Sequence, residues 1–225
     1  MIYFFYKITE NGEIILRILC YGDSNTWGYN PVDASRYQNR WTKVLADLLP
    51  EDEIIEEGLS GRNINREDPD IPNRNGFPVL PVLIRTHRPL DLVIIMLGSN
   101  DLKKFHHITK EILADDLKKT IDVIKDKELE FPYPVPEILV MAPAELGDGI
   151  LTTSKWKDYF DENSIKVSKE LAEAYREVAE RENTYFFDAS EVAEASEYDS
   201  LHLDETEHRK LAEALCVEIK GIKAK

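Results

Sequence analysis

The sequence is poor in several things, and each shortage excludes something. Only two of its 225 residues are cysteine, Cys20 and Cys216. Neither sits in a C-x-x-C pair, and no His/Cys cluster has metal-ligand spacing. A zinc site and a disulfide scaffold are therefore excluded, and no metal is expected. Both thiols fall in apolar runs and read as buried free cysteines, which require no oxidising compartment. Basic residues are scarce: 28 Lys and Arg against 43 Asp and Glu give a net charge of −15. That balance repels phosphate backbones and anionic membranes, so neither nucleic acid nor membrane is expected as a partner. No apolar run approaches the length of a membrane span. The hydrophobic start, Met1-Ile2-Tyr3-Phe4-Phe5-Tyr6-Lys7, has no basic region before it and no small-residue cleavage site after it. It is not read as a secretory leader, and a cytoplasmic location is expected.

What is present is ordinary globular material, 43% hydrophobic and 32% charged, in a length that suits one domain. There is no internal repeat and no linker. The domain is read as residues 13–225. Residues 1–12, ending in the turn dipeptide Asn11-Gly12, are an extension: an extra strand or a loose arm. Five stretches read as strands, at 14–21, 53–57, 91–97, 137–142 and 184–188, all of them apolar runs except Glu53-Ile54-Ile55-Glu56-Glu57 at 53–57. Helical spacing falls between them, at 41–49, 76–87, 109–127, 155–182 with a break near Asn163 left open, and from 204 or 205 to 220. The third run, Asp91-Leu92-Val93-Ile94-Ile95-Met96-Leu97, is apolar almost throughout, as in a parallel strand buried on both faces. Strands alternating with helices predict right-handed crossovers and a doubly wound parallel sheet.

In such sheets ligands bind at the carboxyl ends of the strands. The first of those ends is Gly22-Asp23-Ser24-Asn25-Thr26-Trp27-Gly28. There the Ser24 hydroxyl can face a crevice, and a helix starting just after it would turn a backbone N–H and a dipole the same way. The same residues are equally good turn chemistry. Later strand ends carry Gly58-Leu59-Ser60-Gly61-Arg62 and Gly98-Ser99-Asn100-Asp101. The loop before the last helix carries Asp199-Ser200-Leu201-His202. If the fold gathers these four segments, they supply a hydroxyl (Ser24), a glycine N–H (Gly61), a carboxamide (Asn100) and an imidazole (His202) with Asp199 in reach. Acyl transfer needs that set: a nucleophile, a base oriented by a carboxylate, and donors for an oxyanion. The long polar segment 63–75, with Pro69 and Pro72, reads as functional rather than as a mere connector.

These blocks, in this order, resemble the SGNH, or GDSL, hydrolase superfamily. Arg40-Trp41-Thr42, Ile55 to Arg62 and Asp91 to Asp101 resemble its arylesterase/acyltransferase branch. The resemblance implies a flavodoxin-like three-layer sandwich, a five-stranded parallel sheet with helices on both faces. It implies Ser24 as nucleophile, His202 as base, Asp199 as its orienting acid, and an oxyanion hole of the Ser24 and Gly61 N–H groups with Asn100. Some branch members have alanine where Gly61 stands. It further implies hydrolysis of short-chain, acetyl-type esters, acyl transfer to alcohols in some members, no cofactor, and a homo-oligomer. Residues 1–12 depart from it, since family chains usually begin just before the first strand.

Each residue keeps a plainer reading. Gly61 can be a turn, Asn100 a helix cap, and Trp27 either a wall of the acyl pocket or a packed indole. Asp101 reads as structural, tying its loop by local hydrogen bonds. His87 and His208 read as surface or helix-end histidines, and His106 or His107 can reach the pocket rim. Two other functions stay open: a carbohydrate O-acetyl esterase with the same chemistry, and a catalytically silent binding module. A flavin on the flavodoxin-like sheet is a weaker possibility.

Overall fold

The computed structural model describes residues 7–8, 14–130 and 132–224. Strands β1 (Lys7–Ile8) and β2 (Ile14–Ile15) form an antiparallel pair. The expected Asn11-Gly12 turn lies outside the described residues. β3 (Arg17–Gly22) leads into the single helical turn α1 (Ser24–Trp27), then α2 (Trp41–Leu48) and β4 (Glu53–Gly58). Next come α3 (Leu80–His87), β5 (Leu92–Met96), α4 (Lys110–Ile124), a short α5 (Lys127–Glu130) and β6 (Glu137–Ala142). α6 (Glu162–Arg181), β7 (Tyr185–Asp188) and α7 (Glu205–Lys223) complete the chain.

β3 to β7 form one parallel sheet in the order β4-β3-β5-β6-β7. This is the flavodoxin-like order, and its switch point lies between β3 and β5. Alternation along the strands builds two cores. Leu19, Tyr21, Val93, Ile95, Ile138 and Val140 face one side, where α4 and α6 supply Leu117, Ile121, Leu171 and Tyr175. Ile18, Cys20, Ile94, Leu139 and Met141 face the other, against Trp41 and Leu45 of α2 and Leu211 and Leu215 of α7. Both cysteines are free and buried. Among the described residues no helix is long and apolar enough to cross a membrane.

Three elements differ from expectation. The run 14–21 is two strands, because the Asp52 carboxylate accepts the Leu16 N–H at 2.8 Å and divides one ladder from the other. The helix expected from 76, with both Pro78 and Pro81 in its first turns, begins at Leu80: Phe77 N–H is taken by the Asn75 side chain in a turn, and Pro81 alone falls in the first turn. The helix expected over 155–182, with a break near Asn163 left open, begins at Glu162, beside that break. Asp161 and Ser164 form a reciprocal capping box there, satisfying two orphan donors.

Candidate active site

Strand register sets the site. Gly22 pairs with Gly58 on one side and with Met96 on the other. The loops after three neighbouring strands therefore leave the sheet at one level. They carry Ser24 in the middle, Gly61 on the β4 side and Asn100 on the β5 side. Gly58 is needed for this: a Cβ there would lie 2.3 Å from the Trp27 nitrogen, so α1 could not seat on the end of β4. Gly61 has φ +84°, a conformation that favours glycine.

The expected groups meet. Ser24 Oγ lies 2.9 Å from His202 Nε2, and His202 Nδ1 lies 2.7 Å from Asp199 Oδ2. The other Asp199 oxygen accepts the backbone N–H groups of His202, at 2.9 Å, and Leu201, at 3.2 Å. Asn25 pins the histidine loop to the serine turn: its carboxamide accepts Leu203 N–H and donates to Leu201 O. All three residues are buried, with Asp199 at 0% exposure. Burial raises the Asp199 pKa, but hydrogen bonds and charge from His202, together with the Trp156 indole, outweigh it, and the net shift is downward. The carboxylate is thereby kept ionised beside the imidazole.

On the other side of Ser24, donors collect. Asn100 Nδ2 makes two long bonds, each 3.3 Å, to Asp23 Oδ2 and Arg62 O. The N–H groups of Ser24 and Gly61 enter no hydrogen bond with the described residues. Asp23 caps α1 by accepting Asn25 N–H at 2.9 Å. Burial pushes its pKa up to about 6, against the lowering by that bond, His202 and Arg62. Because α1 is one turn long, the expected helix dipole at Ser24 shrinks to the turn's own N–H groups.

These groups face a cavity of about 200 Å³. Tyr29, Trp156, Tyr159 and Phe160 wall it, and Ile71, Arg74 and a Lys103–Asp68 ion pair of 2.6 Å close the far side. Trp156 does two things. Its indole N–H donates to Asp199 Oδ2 at 3.1 Å, and its ring stands edge-on to the imidazole, 6.2 Å between centroids. Tyr29 packs on the same imidazole at 4.4 Å. Lys155 holds this wall together, donating to Tyr29 Oη and Pro31 O.

Several readings are corrected. Trp27 is absent from the cavity wall; Arg36 lies over its ring at 5.3 Å, so it is a packed indole. His106 and His107 do not line the cavity. Burial, with Arg66 and Lys103 nearby, lowers the His106 pKa to about 4. His208 is no surface residue: it is fully buried, its Nδ1 accepts Trp41 N–H, and burial lowers its pKa to about 3. Asp101 ties a different loop from its own, accepting from Ile64 N–H and Arg66, which fixes the 61–66 segment under Asn100. Burial raises it to about 7 despite Arg66. Arg74 falls in the 63–75 segment read as functional and Tyr29 directly follows the Gly22–Gly28 block, whereas Trp156 lies far from any recognisable block and only the fold brings it here. Among the described residues there is no metal-binding cluster.

Loops of a doubly wound sheet that deliver this relay of groups to one rim put the protein among the carboxylic ester hydrolases. It belongs to the GDSL-like lipase/acylhydrolase family, whose sequence model matches residues 20–210. A structure of the M. smegmatis aryl esterase is 37% identical, with 92% of this chain and 99% of that one covered and a TM-score of 0.85. A carbohydrate acetylesterase from Sinorhizobium meliloti is 34% identical, with the same coverage and a TM-score of 0.85. A lipolytic G-D-S-L protein from Veillonella parvula, 15% identical over 90% of this chain and 97% of that one with a TM-score of 0.66, shares the fold alone. Comparison with curated proteins gave no match.

Proposed function

We propose that this esterase cleaves short-chain, acetyl-type esters through an acyl-enzyme on Ser24. The observation that carries the reading is the unbroken line Ser24 Oγ, His202 Nε2, His202 Nδ1, Asp199 Oδ2, with steps of 2.9 and 2.7 Å. Ser24 Oγ attacks the ester carbonyl carbon, and its proton passes to His202 Nε2. The carbonyl π pair becomes an oxyanion held by the N–H groups of Ser24 and Gly61 and by Asn100 Nδ2. Collapse expels the alcohol oxygen, which takes the proton back from His202. A water then gives its proton to His202 and adds to the acyl-serine, and collapse breaks the Ser24 Oγ–acyl bond, releasing the acid as Ser24 Oγ takes that proton from His202. An alcohol in place of that water gives acyl transfer, which belongs to this proposal, as do a cytoplasmic location and a homo-oligomer.

The cavity supports the acyl class. About 200 Å³ holds a short acyl group together with one ring. Its aromatic walls suit an aryl alcohol. They suit the C–H face of a sugar equally, so a carbohydrate O-acetyl ester is the second reading, favoured by the Sinorhizobium relative. Turnover of p-nitrophenyl acetate, butyrate and octanoate beside an acetylated xylose distinguishes them. Acetate is expected to be the best of the aryl esters. No turnover of any ester, with no fluorophosphonate labelling of Ser24, leaves a silent binding module.

Two further results are expected. Asn100→Ala lowers kcat by about 10²–10³, the usual loss for one oxyanion donor, with a smaller change in KM. A near-wild-type kcat removes Asn100 from the hole. Trp156→Phe keeps the ring but deletes the N–H to Asp199 Oδ2. The carboxylate becomes more basic and holds the protonated imidazole more tightly, so the acid limb of kcat/KM moves to higher pH. A hydrogen bond of ~1 kcal/mol, partly transmitted, gives roughly half a pH unit. An unmoved or downward-shifted limb refutes this role.

A further inference from the structure

Within the segment 63–75, Arg74 is the one basic residue on the cavity wall whose charge has no carboxylate partner among the described residues. Its Nη1 reaches only the carbonyls of Pro72, at 3.1 Å, and Asn73, at 3.5 Å. Its Nε is buried without a hydrogen bond. A buried donor left unmade costs free energy, and native structures keep such groups where something else takes the bond. The side chain lies directly over Gly61. A Cβ at 61 would meet Arg74 Nε at 3.1 Å and Cδ at 3.2 Å, so glycine there lets the guanidinium rest beside the proposed oxyanion hole.

The neighbouring charges do not use it up. Asp68 is engaged by Lys103 at 2.6 Å. Arg62, whose pKa is lowered by burial and by the charge of Arg74, donates to Gly22 O and Glu57 O. Asp70 lines the cavity but is exposed and makes no ion pair among the described residues. A chain of net charge −15 thus keeps one unpaired guanidinium in its active cavity. Guanidinium edges match carboxylates with parallel N–H bonds.

We propose that Arg74 is a specificity-determining residue that selects esters carrying a carboxylate near the reacting carbonyl. The proposal rests on the esterase reading above. The carboxylate stays intact and anchors the ester; no bond to it is made or broken.

The test compares wild type, Arg74→Gln and Arg74→Lys on paired esters. 4-Acetoxybenzoate puts the anion on the alcohol side, with its methyl ester as the neutral partner. Mono-4-nitrophenyl succinate puts it on the acyl side, with 4-nitrophenyl butyrate as partner. In Arg74→Gln the charged-to-neutral ratio of kcat/KM is expected to fall about tenfold to a hundredfold on one side, the usual effect of a charge-assisted hydrogen bond. Arg74→Lys restores part of it, and the change sits mainly in KM. An unchanged ratio in both pairs overturns the proposal. A binding arm separates it from the catalytic reading. Affinity for 4-hydroxybenzoate and for succinate is measured in Ser24→Ala and in Ser24→Ala with Arg74→Gln, without turnover. A tenfold loss for either anion in the second variant supports the role of Arg74 even if ester cleavage fails. Equal affinities for both anions overturn it even if cleavage succeeds.

Discussion

Ser24→Ala is expected to lower kcat for p-nitrophenyl acetate by on the order of 10⁶, to the level left by positioning and the oxyanion donors. The reason is geometric. The Ser24 hydroxyl is the partner of the imidazole's Nε2, at 2.9 Å, and among the described residues it makes no other side-chain bond. On the proposed mechanism, removing it leaves His202 a base with no nucleophile to activate. Folding should hardly notice: one hydrogen bond of ~1 kcal/mol is lost, the Cβ remains, and the cap of α1 is supplied by Asp23. Steady-state rates are read beside thermal unfolding and fluorophosphonate labelling. Full stability, no label and near-zero turnover is the expected triple. Residual activity above about a hundredth of wild type, a loss far short of what removing a serine nucleophile causes, would place the covalent step elsewhere.

The fold was legible where local chemistry and global packing agree. The strand around Ile94 announces itself as an apolar run closed by glycine, and Thr109 and Asp204, where two helices are expected to begin, each cap one with a side-chain bond. Boundaries failed where a distant residue decides them. Nothing near Leu16 shows that Asp52 will take its N–H, and the charged run from Lys155 fits helical spacing until Asp161 restarts the helix.

The site divides the same way. Ser24, Gly61, Asn100, Asp199 and His202 sit in short blocks at strand ends and before the last helix, on the rim where a doubly wound sheet brings ligands. The walls do not. Tyr29 follows the Ser24 turn in an irregular loop, and Trp156 reaches Asp199 across 43 positions. Their contacts are products of tertiary packing, which no local pattern encodes. Trp27 errs in the opposite sense: it sits in the same helical turn as Ser24, yet it lies under Arg36. Three steps of about 100° bring it back to within about 60° of Ser24, so helical spacing alone does not send it away, and the packing against Arg36 decides its place.

Asp199→Asn is the sharper test of the relay, because it changes no shape. A loss of about 10⁴ in kcat is expected, the scale seen when the orienting carboxylate of a serine triad becomes an amide. The surroundings fix which way the amide must point. One carboxylate oxygen accepts two backbone N–H groups, from His202 and Leu201; the other accepts His202 Nδ1 and the Trp156 indole. In the variant, an amide oxygen turned toward the backbone donors satisfies both of them and aims the NH₂ at the imidazole. Nδ1 must then be the acceptor, the ring proton moves to Nε2, and the base can no longer accept from Ser24. The reverse orientation sets NH₂ against two N–H donors and loses both bonds. Either way the indole or the backbone also loses a partner, so some stability goes with the activity. The discriminating variant is Asp199→Asn combined with Trp156→Phe. Deleting the indole donor relieves the clash with NH₂, so stability recovers while kcat stays low. If kcat recovers together with stability, the loss came from distortion of the loop, and the carboxylate's charge is not what orients the base.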